Sequence, residues 1–212
     1  MNALSDLIRV NTHSSIRLQL GEKLIYIDPF RLEQSPHDAD LILITHEHFD
    51  HFSPDDIEKV GRTDTLFILP ASMEQTAAAA LAGCRLRFVR PGETGCAEGI
   101  RFEAIPAYNP DKPFHPKQQG WVGYLLQAEG HSIYIAGDTD ATSEAAAVVC
   151  DAALLPIGGT YTMNAAEAAA LANSIRPALV IPVHYGSVAG APEDFDRFAK
   201  AVDPAIRVCR LI

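Results

Sequence analysis

Leu41-Ile-Leu-Ile-Thr45-His46-Glu-His48-Phe-Asp50-His51 is the stretch from which the rest of this chain is best read. Four consecutive apolar residues closed by Thr45 have the pattern of a strand buried on both faces. The strand runs directly into three of the chain's eight histidines and an aspartate. Imidazole and carboxylate together are the ligand set of zinc or a similar divalent ion. His46 and His48, two apart in extended chain, can turn to one side and share an ion. Asp50 and His51 lie past the bend and can serve a second ion. The end of a buried strand gives such ligands the rigid base a metal site needs.

The frame around this stretch is that of a globular protein. With 212 residues, 48% of them apolar, the whole chain from 1 to 212 reads as one domain with a substantial core. The net charge of −10 and the lack of a basic cluster argue against nucleic acid or an anionic membrane surface as partner. Met1 to Val10 holds no apolar signal core, and no stretch is long enough to span a bilayer. Cys84, Cys96, Cys150 and Cys209 are widely spaced and read as reduced thiols of a cytoplasmic protein.

Ser15 to Leu20 and Lys23 to Asp28 predict a hairpin about Gly21-Glu22. Its register pairs Leu20 with Lys23 and Ser15 with Asp28, which brings His13 beside Phe30. With the Leu41 strand parallel to the second hairpin strand, His13, Asp28 and His46 gather at one sheet edge. Ser53-Pro54-Asp55-Asp56 opens a helix that Gly61 ends. Thr65 to Leu69 is a strand, and Ser72-x-x-Gln75 starts an alanine-rich helix that stops at Gly83. Strands follow at Arg85 to Val89 and Ile100 to Ala107. Tyr108 to Gly120 is a long loop with the character of a lid. Trp121 to Ala128 and His131 to Ala136 form a second hairpin. A helix rich in Ala and Val comes next, then a strand at Ala153 to Ile157. Asn164-x-x-Glu167 caps a helix reaching Ile175, and the apolar run Ala178 to Val183 ends in His184. A helix near Pro192 and a strand at Ile206 to Leu211 close the chain. Hairpins followed by strand–helix units, in both halves, predict two sheets packed face to face with helices outside.

Asp138 and His184 both stand where a strand gives out. An aspartate there is more often a turn former. Joined to the hexapeptide, however, the pair completes a ligand set for two metals. A carboxylate can bridge two cations, and ions about 3.5–4 Å apart can clamp both the attacking and the leaving oxygen of a displacement.

His-x-His-x-Asp-His, a later Gly-Asp after a strand and a late strand ending in His resemble the metallo-β-lactamase superfamily. Thr12-His13-Ser14-Ser15, Ile27-Asp28-Pro29 and Ile181-Pro-Val-His184 are similar to its small single-domain hydrolases, the relatives of ascorbate-phosphate lactonase. The resemblance implies an α/β fold, a four-layer αββα sandwich of two mixed sheets, with metals at the sheet edges. It also implies that His46 and His48 hold a first metal, that Asp50, His51 and His184 hold a second, and that Asp138 bridges. Asp28 would orient ligands.

The chain departs from that family at one ligand. Asn109 stands where a third histidine for the first metal is expected. An oxygen of Asn109, a nitrogen of His13 or His115, or an incomplete first site are the alternatives, and His13, as ligand or proton carrier, is the favoured one. In the loop, Asn109, His115 and Lys117, joined by Tyr161 after a later strand, are candidates to bind an anionic small molecule. Gly158-Gly159-Thr160 could turn its amides to the cleft. His37 and His131 fall in turns and read as solvated.

The expectation is a metal-dependent hydrolase acting on a lactone, another ester or amide, or a phosphodiester, with Asp50 orienting the nucleophile. Zinc is the first choice of ion, with manganese, nickel or iron as alternatives, and one or two ions per chain. The rival is a metal-binding protein of this fold without turnover. The small-molecule substrate is unspecified, and self-association is left open.

Overall fold

The computed structural model describes residues 4–212. The reading of the first ten residues as lacking a signal core therefore falls in part outside the described residues. In chain order the elements are β1 (Ile8–Thr12), β2 (Ser15–Leu20), β3 (Lys23–Ile27), β4 (Leu41–Leu43), α1 (Pro54–Val60), β5 (Leu66–Pro70), α2 (Glu74–Ala80), β6 (Arg85–Val89), β7 (Thr94–Ala97), β8 (Ile100–Pro106), β9 (Val122–Ala128), β10 (His131–Ile135), α3 (Ser143–Ala146), β11 (Ala152–Pro156), α4 (Ala165–Ile175), β12 (Leu179–Val183), α5 (Asp194–Ala201) and β13 (Arg207–Val208).

The strands form two mixed sheets, ordered β1-β2-β3-β4-β5-β6 and β13-β12-β11-β10-β9-β8-β7. The hairpin register is the expected one, with Leu20 opposite Lys23 and Ile16 opposite Ile27. β4 runs parallel to β3 and pairs Ile27 with Leu43. Inner-face residues of both sheets share one core: Ile16, Leu18, Ile25, Leu41 and Leu43 meet Phe102, Tyr124, Leu126, Ile133 and Ile181. The outer face of the first sheet (Tyr26, Ile42, Phe67) packs on Ile57, Val60 and Ala77 of α1 and α2. The outer face of the second (Tyr134, Leu155, Val180) packs on Ala168, Ala169 and Ala172 of α4 and Phe198 of α5. Alanines at these positions let α4 lie close to the sheet. The result is four layers, helix, sheet, sheet, helix. The alternation in β4 shows why its sequence is apolar throughout: Leu41 and Leu43 face the shared core, while Ile42 faces the helices.

Several elements differ from expectation. β1 was not foreseen, although Ile8 and Val10 are buried and Arg9 exposed, a period of two. β7 was likewise not foreseen. The second helix starts at Glu74 after a short 3-10 turn, and no side chain caps it, so Ser72 is not its cap. The alanine- and valine-rich helix after Asp140 is reduced to the four residues of α3, capped by Thr142. The closing strand shrinks to Arg207–Val208, because only that pair finds a partner on β12. His131 is the first residue of β10, opposite Ala128, and not part of a turn. The capping box of Asn164 and Glu167 is present as read. Among the described residues, no helix is long and apolar enough to cross a membrane.

Candidate metal centre

Apart from His115, which comes from the Tyr108–Gly120 loop, the polar residues of the centre follow the ends of strands. His46 follows β4 through Ile44 and Thr45, and the chain then turns back on itself, with His51 and Phe52 N–H groups both donating to the His48 carbonyl. Asp138 follows β10 after Gly137, whose φ is 65°. A Cβ at Gly137 would lie 3.2 Å from both the Thr45 side chain and the Val122 carbonyl, so glycine lets the two sheets approach here. His184 follows β12 and His13 lies in the β1–β2 turn, both with positive φ, 56° and 53°. His184 N–H donates to the His13 carbonyl at 3.0 Å, which ties one sheet's edge to the other's. Such backbone is costly for a residue with a side chain and persists where the surroundings fix it.

The side chains converge in groups. His13, Asp50, His51 and His184 each offer one ligand atom within 4.8 Å of the others, and so do His46, His48 and His115. Asp138 lies between them. Its Oδ2 is 3.0 Å from His184 Nε2 and 3.3 Å from His115 Nε2, and its Oδ1 is 3.3 Å from His51 Nε2. One carboxylate thus touches histidines of both groups.

A second layer of hydrogen bonds sets which nitrogen of each ring faces inward. His51 Nδ1–H donates to Asp28 at 2.7 Å, leaving Nε2 for the centre. Thr45 donates its hydroxyl to the same carboxylate at 2.7 Å and accepts from His46 Nδ1 at 2.9 Å. His115 Nδ1–H donates to Asn109 Oδ1 at 2.9 Å, and so does its backbone N–H at 3.0 Å. Asn109 itself is held by donating to the Tyr161 carbonyl at 3.0 Å. Asp28 therefore has the orienting place the resemblance implied.

Burial and neighbouring charge oppose each other here. Burial holds the His46 imidazole well below its ordinary pKa. Burial would do the same to His51, but Asp138 and Asp28 on either side raise it well above. Burial alone would raise Asp138, yet His184 and His51 bring it well below the usual carboxylate range. Asp50 would also rise by burial, and the hydrogen bond from His13 at 3.0 Å brings it down to about 2. Desolvation lowers His13 to about 4.

The donors fit a divalent cation. His51 Nε2, His115 Nε2, His184 Nε2 and Asp138 Oδ1 are all buried and make no hydrogen bond. Buried polar atoms without partners are costly, and four aimed at one another form the environment of a cation rather than of a core. Nitrogen and carboxylate oxygen are ligands for zinc, manganese, iron or nickel alike.

Several expectations need correction. His13 does not supply the third nitrogen of the first group, because its turn belongs beside His184 and Asp50. His115, 1% exposed, stands with His46 and His48 instead, its Nε2 3.3 Å from Asp138. Asn109 does not turn its oxygen to the centre: Oδ1 accepts from His115, and the amide donates to the Tyr161 carbonyl outside the loop. Lys117 points away, donating to Glu144 at 2.8 Å and to Tyr108 Oη at 3.2 Å. The Gly158 segment does not offer its amides either: Gly159 N–H donates to the Met163 carbonyl and Thr160 N–H to that of Gly158. Gly158 is needed instead for space, as a Cβ there would collide with the His184 carbonyl. Tyr161 is partly exposed, with its ring edge-on to Phe114 at 4.8 Å. Trp121 was read only as the first residue of the second hairpin. It is buried against His46, His48 and His115, with ring centroids 5.0, 4.9 and 5.5 Å away.

Residues 7–184 match the family model of the beta-lactamase superfamily domain. A UPF0173 metal-dependent hydrolase of Thermococcus onnurineus is 31% identical over 90% of this chain and 90% of its own length. A solved structure from Parabacteroides distasonis superposes with a TM-score of 0.79 and 31% identity, covering 96% of this chain and 91% of that one. The metallo hydrolase Igni18 of Ignicoccus hospitalis has a TM-score of 0.76 at 25% identity, covering 96% and 93%.

Proposed function

The chain belongs to the beta-lactamase superfamily, and from that premise we propose that it is a metal-dependent hydrolase whose two ligand groups hold a pair of divalent ions, zinc first among them. His46, His48 and His115 would hold one ion, and Asp50, His51 and His184 the other, with Asp138 shared. The observation that carries this is the convergence of four buried ligand atoms that make no hydrogen bond, three of them histidine nitrogens and one a carboxylate oxygen. When bound, such ions act as Lewis acids and lower the pKa of water toward about 7.

The chain's own residues then have separate tasks. Asp28 and Thr45 fix the ring orientation of His46 and His51, and Asn109 does so for His115. Asp50, held ionised, accepts a proton from the attacking water. His13 keeps that carboxylate in place through the bond at 3.0 Å and sits within 3.4 Å of Ser187 Oγ on its other side. Trp121 closes the floor behind the first group and keeps bulk water from it. The scissile bond is that of an ester, lactone, amide or phosphodiester.

The test uses protein freed of metal by chelation and then reloaded with zinc or manganese, assayed on p-nitrophenyl esters, lactones and phosphodiesters. Turnover that appears only on reloading, with close to two ions per chain by elemental analysis, is expected. Full metal loading with no turnover of any member of the panel would leave only a metal-binding role.

A further inference from the structure

Among the described residues, the exposed large apolar side chains are Phe49, Phe114, Val149 and Tyr161. Three of these four belong to the segments that build the centre. Phe49 stands between His48 and Asp50 and is 66% exposed; Phe114 precedes His115 and is 40% exposed. Tyr161 lends its carbonyl to Asn109 and its ring to Phe114. Phe49 in turn leans edge-on against Phe30, with centroids 6.0 Å apart, and Phe30 packs beside His13. The two sets flank one centre, since His48 beside Phe49 and His115 beside Phe114 have ring centroids 4.9 Å apart, and exposed aromatic rings around a site mark a contact surface.

The burial of the ligands shows where the centre opens. Six of the seven proposed ligands are buried, and only His48 is half-exposed. The open side is therefore next to Phe49. Charge points the same way. The two lysines of the Tyr108–Gly120 loop are already neutralised, Lys112 by Asp140 and Lys117 by Glu144. With these partners and Asp111 the loop brings no net positive charge to the opening.

We propose that Phe49 on one side and the Phe114–Tyr161 pair on the other form the substrate wall of this centre, and that they select an uncharged carboxylic ester or lactone with an apolar acyl chain over a phosphodiester. This rests on the hydrolase reading and narrows it. Hydrolysis of such an ester adds the oxygen of water to the acyl carbon, breaks the carbon–oxygen bond and releases the alcohol with its proton, so no further reactant is needed.

Two series test it on metal-loaded protein. In the first, kcat/KM is measured for p-nitrophenyl acetate, butyrate and hexanoate and for methyl p-nitrophenyl phosphate. In the second, the affinity of straight-chain hydroxamic acids of the same lengths is measured by calorimetry, which needs no turnover. Both should rise about two- to fourfold per methylene, the range set by burying part or all of each group. F49A and F114A should flatten that rise, F49L should keep it, and V149A, on a distant exposed site, should leave it unchanged; metal content should be the same in all four. Faster hydrolysis of the phosphodiester, or a rise that is flat or indifferent to F49A and F114A, overturns the proposal. Hydroxamate affinity that rises with length and falls in F49A, without hydrolysis of any ester, would retain the wall while removing the hydrolase reading.

Discussion

The two ligand groups are held in different ways. His13, Asp50, His51 and His184 are fastened to strand ends of both sheets, with Asp28 behind His51 and a backbone bond joining His13 to His184. His46 and His48 share that base, but their third member, His115, arrives from the Tyr108–Gly120 loop. Among the described residues its Nδ1 has one hydrogen-bond partner, Asn109, and Asn109 is held in turn by the Tyr161 carbonyl. One group is thus anchored to the scaffold and the other is completed by a loop. An ion in the first group should come and go more easily than one in the second, and this asymmetry can be broken experimentally.

The largest effect should come from Asp138, the one residue that serves both groups. Asp138→Asn keeps the shape but removes the shared charge. Occupancy of both ions should fall together and hydrolysis should drop by more than a hundredfold. Elemental analysis and kinetics check this, and retention of one full ion would show that the groups are independent. Next is Asp28→Ala, which deprives His51 Nδ1–H, the Thr45 hydroxyl and the Thr45 N–H of their common acceptor. Affinity for the second ion should fall about 10- to 100-fold, the usual cost of losing an orienting partner. Stability should fall by about 3 kcal/mol, because buried donors are left unpaired; chemical denaturation of the metal-free protein measures it.

Asn109→Ala is the counterpart on the loop side. It should weaken the first ion by about 10-fold or more while the second keeps its affinity, which competitive chelation can resolve as two separate phases. Equal weakening of both would erase the distinction between scaffold and loop.

The same asymmetry explains how much could be read from the sequence. The scaffold was legible because strands carry a period, and because His46 to His51 concentrate ligand types after an apolar run. Asp138 and His184 were found by the same rule, a polar residue where a strand gives out. The hairpin register even brought His13 to the right edge, but register says nothing about which of two neighbouring groups a side chain joins. His115 was one of the alternatives for the missing nitrogen but ranked behind His13, because a loop of that length has no period to fix its direction. Asn109 was placed at the right point of the chain and given the wrong task. Its bonds to His115 are tertiary, set by how the loop folds back, and nothing local announces them. The signal that could have found His115 is its neighbour: Phe114-His115 between two prolines is an apolar–imidazole pair in an otherwise polar loop.

The smallest expected effect concerns the loop's outer attachment. Lys117 donates to Glu144 on α3 and lies over the Tyr108 ring, 4.4 Å from its centroid. Were the loop held in place by this contact, Lys117→Ala would release His115 and weaken the first ion as Asn109→Ala does. The pair is exposed, however, and exposed ion pairs are screened by water and salt and contribute little. Asn109, by contrast, is 4% exposed, so its bonds to His115 and Tyr161 are shielded from bulk solvent. Lys117→Ala should therefore leave metal content, the ease of chelation and the thermal midpoint unchanged within error. Raising the salt concentration on the unmodified protein should have no more effect than the substitution. If either treatment releases the first ion selectively, the loop is pinned from its surface and the role given to Asn109 is wrong.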